Sequence, residues 1–156
     1  TEEGLYTLNI PRKRLTKRAE LAGQNIFNLH YDPDRRQLWV GTYLSGFRCY
    51  QLPANPSQPW QRVRAGLDGY MVLHLRPNTL RQTMWLATDR GLGAMNLNTG
   101  RVRFYTDRDG LANSFVYGTL ADLNNHIWMS TNRGIVRLDP GTGSVKNFSL
   151  DDGLQG

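Results

Sequence analysis

Apolar and polar positions alternate along this chain in short runs and never settle into a helical period. Between Phe115 and Leu150 the runs are "FVYGTLAD", "HIWMST", "GIVRLD" and "SVKNFSL". They are rich in β-branched and aromatic residues, and turn formers such as "LNN", "NR", "PGTG" and "DDG" separate them. Four short strands with no helical stretch between them is the pattern of an all-β chain. The "DPGTG" at Asp139–Gly143 and the "NTG" at Asn98–Gly100 read as hairpin turns, because glycine supplies the positive φ those turns need.

The set of four then recurs. "IWMSTNRGIVRLDPGTGSVKNFSLDDGL" (Ile127–Leu154) repeats "MWLATDRGLGAMNLNTGRVRFYTDRDGL" (Met84–Leu111) at an offset of 43 residues. Trp39, Trp85 and Trp128 head "LWVGT", "MWLAT" and "IWMST", at spacings of 46 and 43. A Gly-apolar pair follows each (Gly46-Phe47, Gly91-Leu92, Gly134-Ile135) and stands alone as Gly4-Leu5. Gly23, Gly66, Gly110 and Gly153 recur at 43, 44 and 43. Four strands in a unit of about 40–50 residues is the content of one β-propeller blade. The expected assignment is a partial propeller over 1–156: a half blade at 4–20, blades at 26–64, 70–106 and 114–149, and a linker at 150–156. Each tryptophan sits on a second strand and is expected to fill the wedge between neighbouring blades. The small residue two places on (Gly41, Ala87, Ser130) lets the next sheet approach. Thr42, Thr88 and Thr131 can satisfy their hydroxyls on nearby backbone. Three and a half blades would leave sheet faces open in a fold that closes with about four to eight. The chain is therefore expected to be a piece of a longer, seven-bladed propeller.

Composition narrows function by exclusion. Of 19 basic residues 16 are arginine and the net charge is +6, but only "RKRLTKR" (Arg12–Arg18) is dense. That cluster falls where an outermost strand is expected, and Lys and Arg there blunt edge-to-edge pairing. The other charges are dispersed, so nucleic acid is not an expected partner. No apolar run approaches the ~18 residues of a membrane span. The single cysteine, Cys49, rules out an internal disulfide and a cysteine-based zinc site, and reads as a buried thiol. His30 and His74 both stand three residues before a proline on inner strands, with Thr119 at the matching place in the last blade. No ligand-spaced carboxylates accompany them, so both read as structural, and His126 as the end of a turn. "DRDG" lacks the further ligands of a calcium loop. No cofactor, metal or catalytic residue is expected.

The runs "LWVGT", "DPGTG" and "FYTDRDGL", with an asparagine soon after the last, resemble the two-component-regulator propeller repeat. The resemblance covers nearly the whole chain and is strongest from Met84 to Leu154. "LWVGTYLSGF" carries one extra residue, "PANPSQPW" (Pro53–Trp60) replaces the usual turn, and Ala87 and Ser130 stand where glycine is commoner. The resemblance implies the periplasmic sensor part of a bacterial hybrid histidine kinase or diguanylate-cyclase regulator. Further blades, a β-sandwich, a membrane helix and a cytoplasmic kinase or cyclase module would then complete the receptor. It also implies carbohydrate recognition, commonly of polysaccharide breakdown products.

In a propeller, the turns from second to third strand and the links between blades share one face, where ligands meet the fold. Those turns carry Tyr43, Asp89, Arg90, Asn132 and Arg133, and the links carry Asp68, Tyr70, Asp107, Arg108, Asp109 and Asn113. Arg offers a planar fork to carboxylates, Asn an amide to hydroxyls, and Tyr a ring for stacking. The expected ligand contacts are Tyr43, Arg90, Arg133, Asp89, Asn132, Tyr70 and Asn113, although Asp and Asn are also ordinary turn residues. The expected function is a non-enzymatic ligand sensor. The alternatives are a propeller that mediates receptor homodimerisation, and a propeller lyase in which His74→Ala would abolish turnover.

Overall fold

The computed structural model describes residues 4–78 and 81–154. Two of the residues assigned above to the terminal linker, Gln155 and Gly156, lie outside them. Strands β1 (Tyr6–Asn9) and β2 (Arg14–Lys17) form a two-stranded sheet. Three four-stranded sheets follow. The first joins β3 (Ile26–Asp32), β4 (Gln37–Thr42), β5 (Phe47–Gln51) and β6 (Gln61–Gly66). The second joins β7 (Val72–Asn78), β8 (Thr83–Thr88), β9 (Gly91–Asn96) and β10 (Val102–Tyr105). The third joins β11 (Val116–Ala121), β12 (Ile127–Thr131), β13 (Gly134–Leu138) and β14 (Val145–Phe148). Each is an antiparallel meander in chain order, the content of a propeller blade, and the first pair supplies half of one. The chain divides into two compact units at the Val72–Leu73 bond.

The repeated residues have repeated jobs. Thr42, Thr88 and Thr131 each donate a side-chain hydrogen bond to the carbonyl of the glycine that opens or immediately precedes the next strand: Gly46 (2.7 Å), Gly91 (2.7 Å) and Gly134 (3.0 Å). Gly4, Gly46, Gly91 and Gly134 all have positive φ, and a Cβ at any of them would lie 2.1–2.5 Å from a backbone carbonyl oxygen. No side chain fits there, which accounts for the period of the Gly-apolar marker.

In the first unit, Leu38 and Val40 of β4 and Tyr50 of β5 pack with Leu21, Leu5 and Ile26. The segment after β2 is pinned to this sheet. The Tyr50 hydroxyl donates to the Glu20 carbonyl (3.0 Å), and the Trp60 amide donates to the Glu20 carboxylate (2.8 Å). Trp60 therefore explains part of the Pro-rich departure, since its ring also lies under the Arg18 guanidinium at 4.6 Å. Cys49 is buried, and burial pushes its thiol up to about 12, so it is inert at neutral pH.

In the second unit, two sheets pack face to face. Trp85, Ala87, Leu92 and Tyr105 of the sheet β7–β10 bury against Val116, Ile127, Met129, Val136 and Leu138 of the sheet β11–β14. Register makes the origin of this interface plain: Ala87, Leu92 and Tyr105 stand opposite one another across β8, β9 and β10. The same row in the last sheet is Ser130, Ile135 and Phe148, and Trp128 takes the place of Trp85. These equivalents are only partly buried or exposed. The last sheet thus carries on its outer face the side chains that its neighbour uses to bind a sheet.

Candidate functional site

The candidate site lies at the sheet ends where second strands turn into third strands. In the second unit Thr131 leads through Asn132 and Arg133 into Gly134. The Arg133 amide donates to Thr131 Oγ1 (3.1 Å), which fixes the turn and leaves both side chains directed by it. Beyond β14, Ser149 and Asp152 cap one turn of 3-10 helix, Leu150–Asp152, reciprocally: Ser149 N–H donates to Asp152 Oδ2 (2.9 Å) and Asp151 N–H to Ser149 Oγ (3.3 Å). Gly153 then leaves the helix in the left-handed region, at φ 90°. Between turn and cap lies a cavity of about 510 Å³, lined by Asn132, Arg133, Ser149, Leu150, Asp151 and Leu154.

The link after β10 repeats this device. Thr106 and Asp109 cap Asp107–Asp109, and Gly110 closes it at φ 99°. Asp109 is therefore a local cap, as its turn context suggests. Asp107 Oδ1 accepts from Arg108 N–H (3.1 Å), and Asn113 Oδ1 accepts from Phe115 N–H (2.8 Å). Arg90 is well exposed and pairs with its neighbour Asp89 at 3.6 Å. Of the residues expected at a ligand, the structure gathers Asn132 and Arg133 around one cavity, whereas Asp89, Arg90 and Asn113 do not line it.

In the first unit the turn after β4 is laced to the link after β6. Gly46 N–H donates to the Tyr70 carbonyl (3.1 Å), and Gly69 N–H to that of Leu44 (2.9 Å). Arg48 meets Asp68 at 2.9 Å. Tyr43 lies in this loop, exposed, with its ring edge-on to Phe27 at 6.0 Å.

Two aromatic residues that alternation alone does not single out occupy matching places. Phe27 and Tyr117 are the bulged residues at the starts of β3 and β11, each unpaired between two ladder partners. A bulge turns its side chain out of the alternation of the strand. Tyr117 is exposed, its hydroxyl donates to Asn132 Oδ1 (2.7 Å), and its ring lies 4.9 Å from that of Phe115. The signal for both is visible only by aligning Ile26-Phe27 with Val116-Tyr117, one residue after each strand start.

The histidines have structural partners. Thr119 N–H donates to His74 Nδ1 (3.3 Å), with Thr119 Oγ1 at 3.2 Å from the same nitrogen. An amide can only donate, so the neutral ring carries its proton on Nε2, and His74 ties β7 to β11. Register corrects one correspondence: His30 stands opposite Trp39 as Leu120 stands opposite Trp128, so Leu120 and not Thr119 matches His30. The ladders fix what counting back from prolines does not.

His126 does more than end a turn. Asp122 Oδ2 accepts from Trp128 Nε1 (2.9 Å) and lies 3.0 Å from His126 Nδ1, while Asp122 Oδ1 accepts the amides of Asn124 and His126. The Trp128 hydrogen bond, with those of His126 and Asn124, holds the Asp122 carboxyl down at about 2, from 3.8 ordinarily. Its contribution to stability is complete above the ordinary value, fades as pH falls, and is gone below the folded-state value. Acid unfolding of Asp122→Asn, followed by circular dichroism, is expected to lack the portion of the wild-type loss that falls between about pH 4 and pH 2.

No protein-family model and no curated protein matches the sequence. Solved structures do. The chain is 21% identical to the extracellular domain of the proposed one-component system BT4673 of B. thetaiotaomicron, with a TM-score of 0.73 over 94% of this chain. A second structure of the BT4673 extracellular domain, described there as a proposed hybrid two-component system, gives 21% identity and 0.74 over 96%. The extracellular domain of the proposed hybrid two-component system BT3049 gives 20% and 0.58 over 81%. The chain spans 18–20% of the length of those chains. Across nearly all of its length, this chain has a fold that forms part of these extracellular domains.

Proposed function

We propose that this chain is a run of blades from the extracytoplasmic, non-enzymatic sensor propeller of a two-component or related receptor, and that it recognises a carbohydrate-like ligand. The observation that carries the reading is the likeness to extracellular domains described as belonging to one-component and hybrid two-component systems, over 94–96% of the chain. Among the described residues no helix is long and apolar enough to cross a membrane. Ligand contacts are assigned to the second-to-third turns and links: Asn132 and Arg133 in the second unit, Tyr43 and Tyr70 in the first. Arg90 is a further contact oriented by Asp89, and Asn113 shapes the link after β10. A guanidinium, an amide and tyrosine rings, of which that of Tyr43 is exposed, suit a hydroxylated ring bearing a carboxylate.

The outer face of the last sheet supports the longer receptor. Leu120, Trp128 and Ile135 border a cavity of about 590 Å³ on the face equivalent to the buried Trp85 face. A further sheet of the same repeat is the occupant whose shape that face already matches. A homodimer formed through this face is the second reading, favoured by the same exposed apolar surface. Sedimentation separates the two, because only the dimer requires two copies of this chain.

Thermal melting against acidic and neutral oligosaccharides tests the sensor reading. A ligand present at about 100 times its Kd adds about 2.7 kcal/mol, a rise of roughly 5–10 °C for a chain of this size. Melting that no oligosaccharide shifts would count against recognition of carbohydrate by these blades.

A further inference from the structure

We infer that Tyr117 is a stacking ledge for a sugar ring, held ready by Asn132 beside the cavity that Arg133 lines. The inference rests on the carbohydrate reading above and deepens it by naming where the ring sits. A tyrosine on a strand ordinarily gains stability by burying its ring. Tyr117 does not: it is 48% exposed. It is nevertheless fixed at both ends of its side chain. The bulge between Val116 and Gly118 sets the direction of Cβ, and the bond to Asn132 Oδ1 at 2.7 Å anchors the hydroxyl. Phe115, 4.9 Å away at 44°, braces the ring from just before the strand. An exposed ring with its rotation removed loses little entropy when a ligand covers it, which is the property of a preorganised binding surface.

The arrangement is repeated with different chemistry. In the first unit the bulge between Ile26 and Asn28 presents Phe27, 44% exposed. Its contact comes from Tyr43, the residue after Thr42, just as the contact of Tyr117 comes from Asn132, the residue after Thr131. An exposed aromatic ring thus stands at the same bulge in both units, each contacted by the residue that follows the recurring threonine. A ring that offers one flat apolar face to such a residue and polar groups along its rim is the ligand that fits. Asn132, which holds the Tyr117 hydroxyl, also lines the cavity that supplies that rim: the Asn132 amide to hydroxyls, and Arg133, with Ser149 across the cavity, to a carboxylate. The ligand class is therefore a pyranose, and the position beside Arg133 favours a uronate.

Isothermal titration with a galacturonate tetrasaccharide and with neutral maltotetraose tests this on the full chain. Tyr117→Thr removes the ring and keeps a good strand former, whereas Tyr117→Phe keeps the ring and loses only the anchor. Asn132→Ala loses the anchor from the other side. The expected result is that the wild-type chain binds the acidic probe, that Tyr117→Thr weakens binding about tenfold or more, and that Tyr117→Phe and Asn132→Ala weaken it less. Wild-type binding that survives Tyr117→Thr unchanged, in a variant with wild-type melting, overturns the ledge and leaves the sensor reading standing. Failure of the wild-type chain to bind either probe overturns both. Should Tyr117→Thr not fold, Tyr117→Phe and Asn132→Ala decide: equal affinity to wild type in both contradicts a preorganised ring.

Discussion

Gly91→Ala is expected to lower the melting temperature of the chain by roughly 10 °C. Gly91 has φ +127°, and a Cβ there would lie 2.5 Å from the Tyr105 carbonyl oxygen and 3.1 Å from Thr106 Cγ2. The backbone strain alone is worth about 1–2 kcal/mol. Forcing β9 away from the start of the link adds an overpacking cost of about 1–3 kcal/mol. The Tyr105 side chain is part of the core between the two sheets of the second unit, so the displacement cannot be absorbed locally. Gly143→Ala is the control, since Gly143 also has positive φ, at +77°, but nothing lies within 4 Å of its Cβ position. Its cost should be confined to the strain. Equal losses in the two variants, measured by differential scanning calorimetry, would mean that close approach is not what holds the Gly-apolar marker in register.

Trp85→Ala and Trp128→Ala should differ sharply although the two residues head the same motif. Trp85 is almost fully buried against the last sheet, and its removal is expected to cost about 3–5 kcal/mol. Trp128 stacks on Phe148 at 5.4 Å and donates to Asp122, but among the described residues no sheet of the second unit covers its outer face. Its removal should cost about 1–2 kcal/mol in this chain. Carried on a longer chain that includes a further blade, Trp128→Ala should rise to the cost of Trp85→Ala. Chemical denaturation measures each. Equal costs in this chain would contradict the idea that the two tryptophans occupy equivalent faces, one covered and one open.

Much of the fold is legible in the sequence. Trp39, Trp85 and Trp128 lie on second strands, the recurring threonines bond nearby backbone, and the strands run in four-stranded antiparallel sheets, all as the repeat implies. The reason is that these positions answer to local rules: a two-residue period, turn formers, and glycine where only hydrogen fits. What was not legible depends on register. The bulges at Phe27 and Tyr117 add a residue to one strand without a signature in the residues themselves. Leu120, not Thr119, matches His30 because the hairpin from Leu120 to its partner Trp128 is one residue shorter than that from His30 to its partner Trp39. The hub at Asp122 was missed because it joins a turn carboxylate to an indole six residues on, across a hairpin whose exact length decides whether they meet. The candidate ligand side chains are read from their chemistry and from the end of the sheet at which the turns place them. Which of them share a cavity depended on how the Ser149–Asp152 cap folds beside Asn132 and Arg133.

The most direct test of the central claim, carbohydrate sensing at the turn end of the blades, is calorimetric titration of this chain and its Arg133→Ala variant with one acidic oligosaccharide and its carboxyl-reduced counterpart. Saturable heat with the acidic form, weakened in the variant and by reduction of the carboxyls, is the predicted result. Heats that are absent, or identical for both sugars and both proteins, would contradict recognition at this end of the fold.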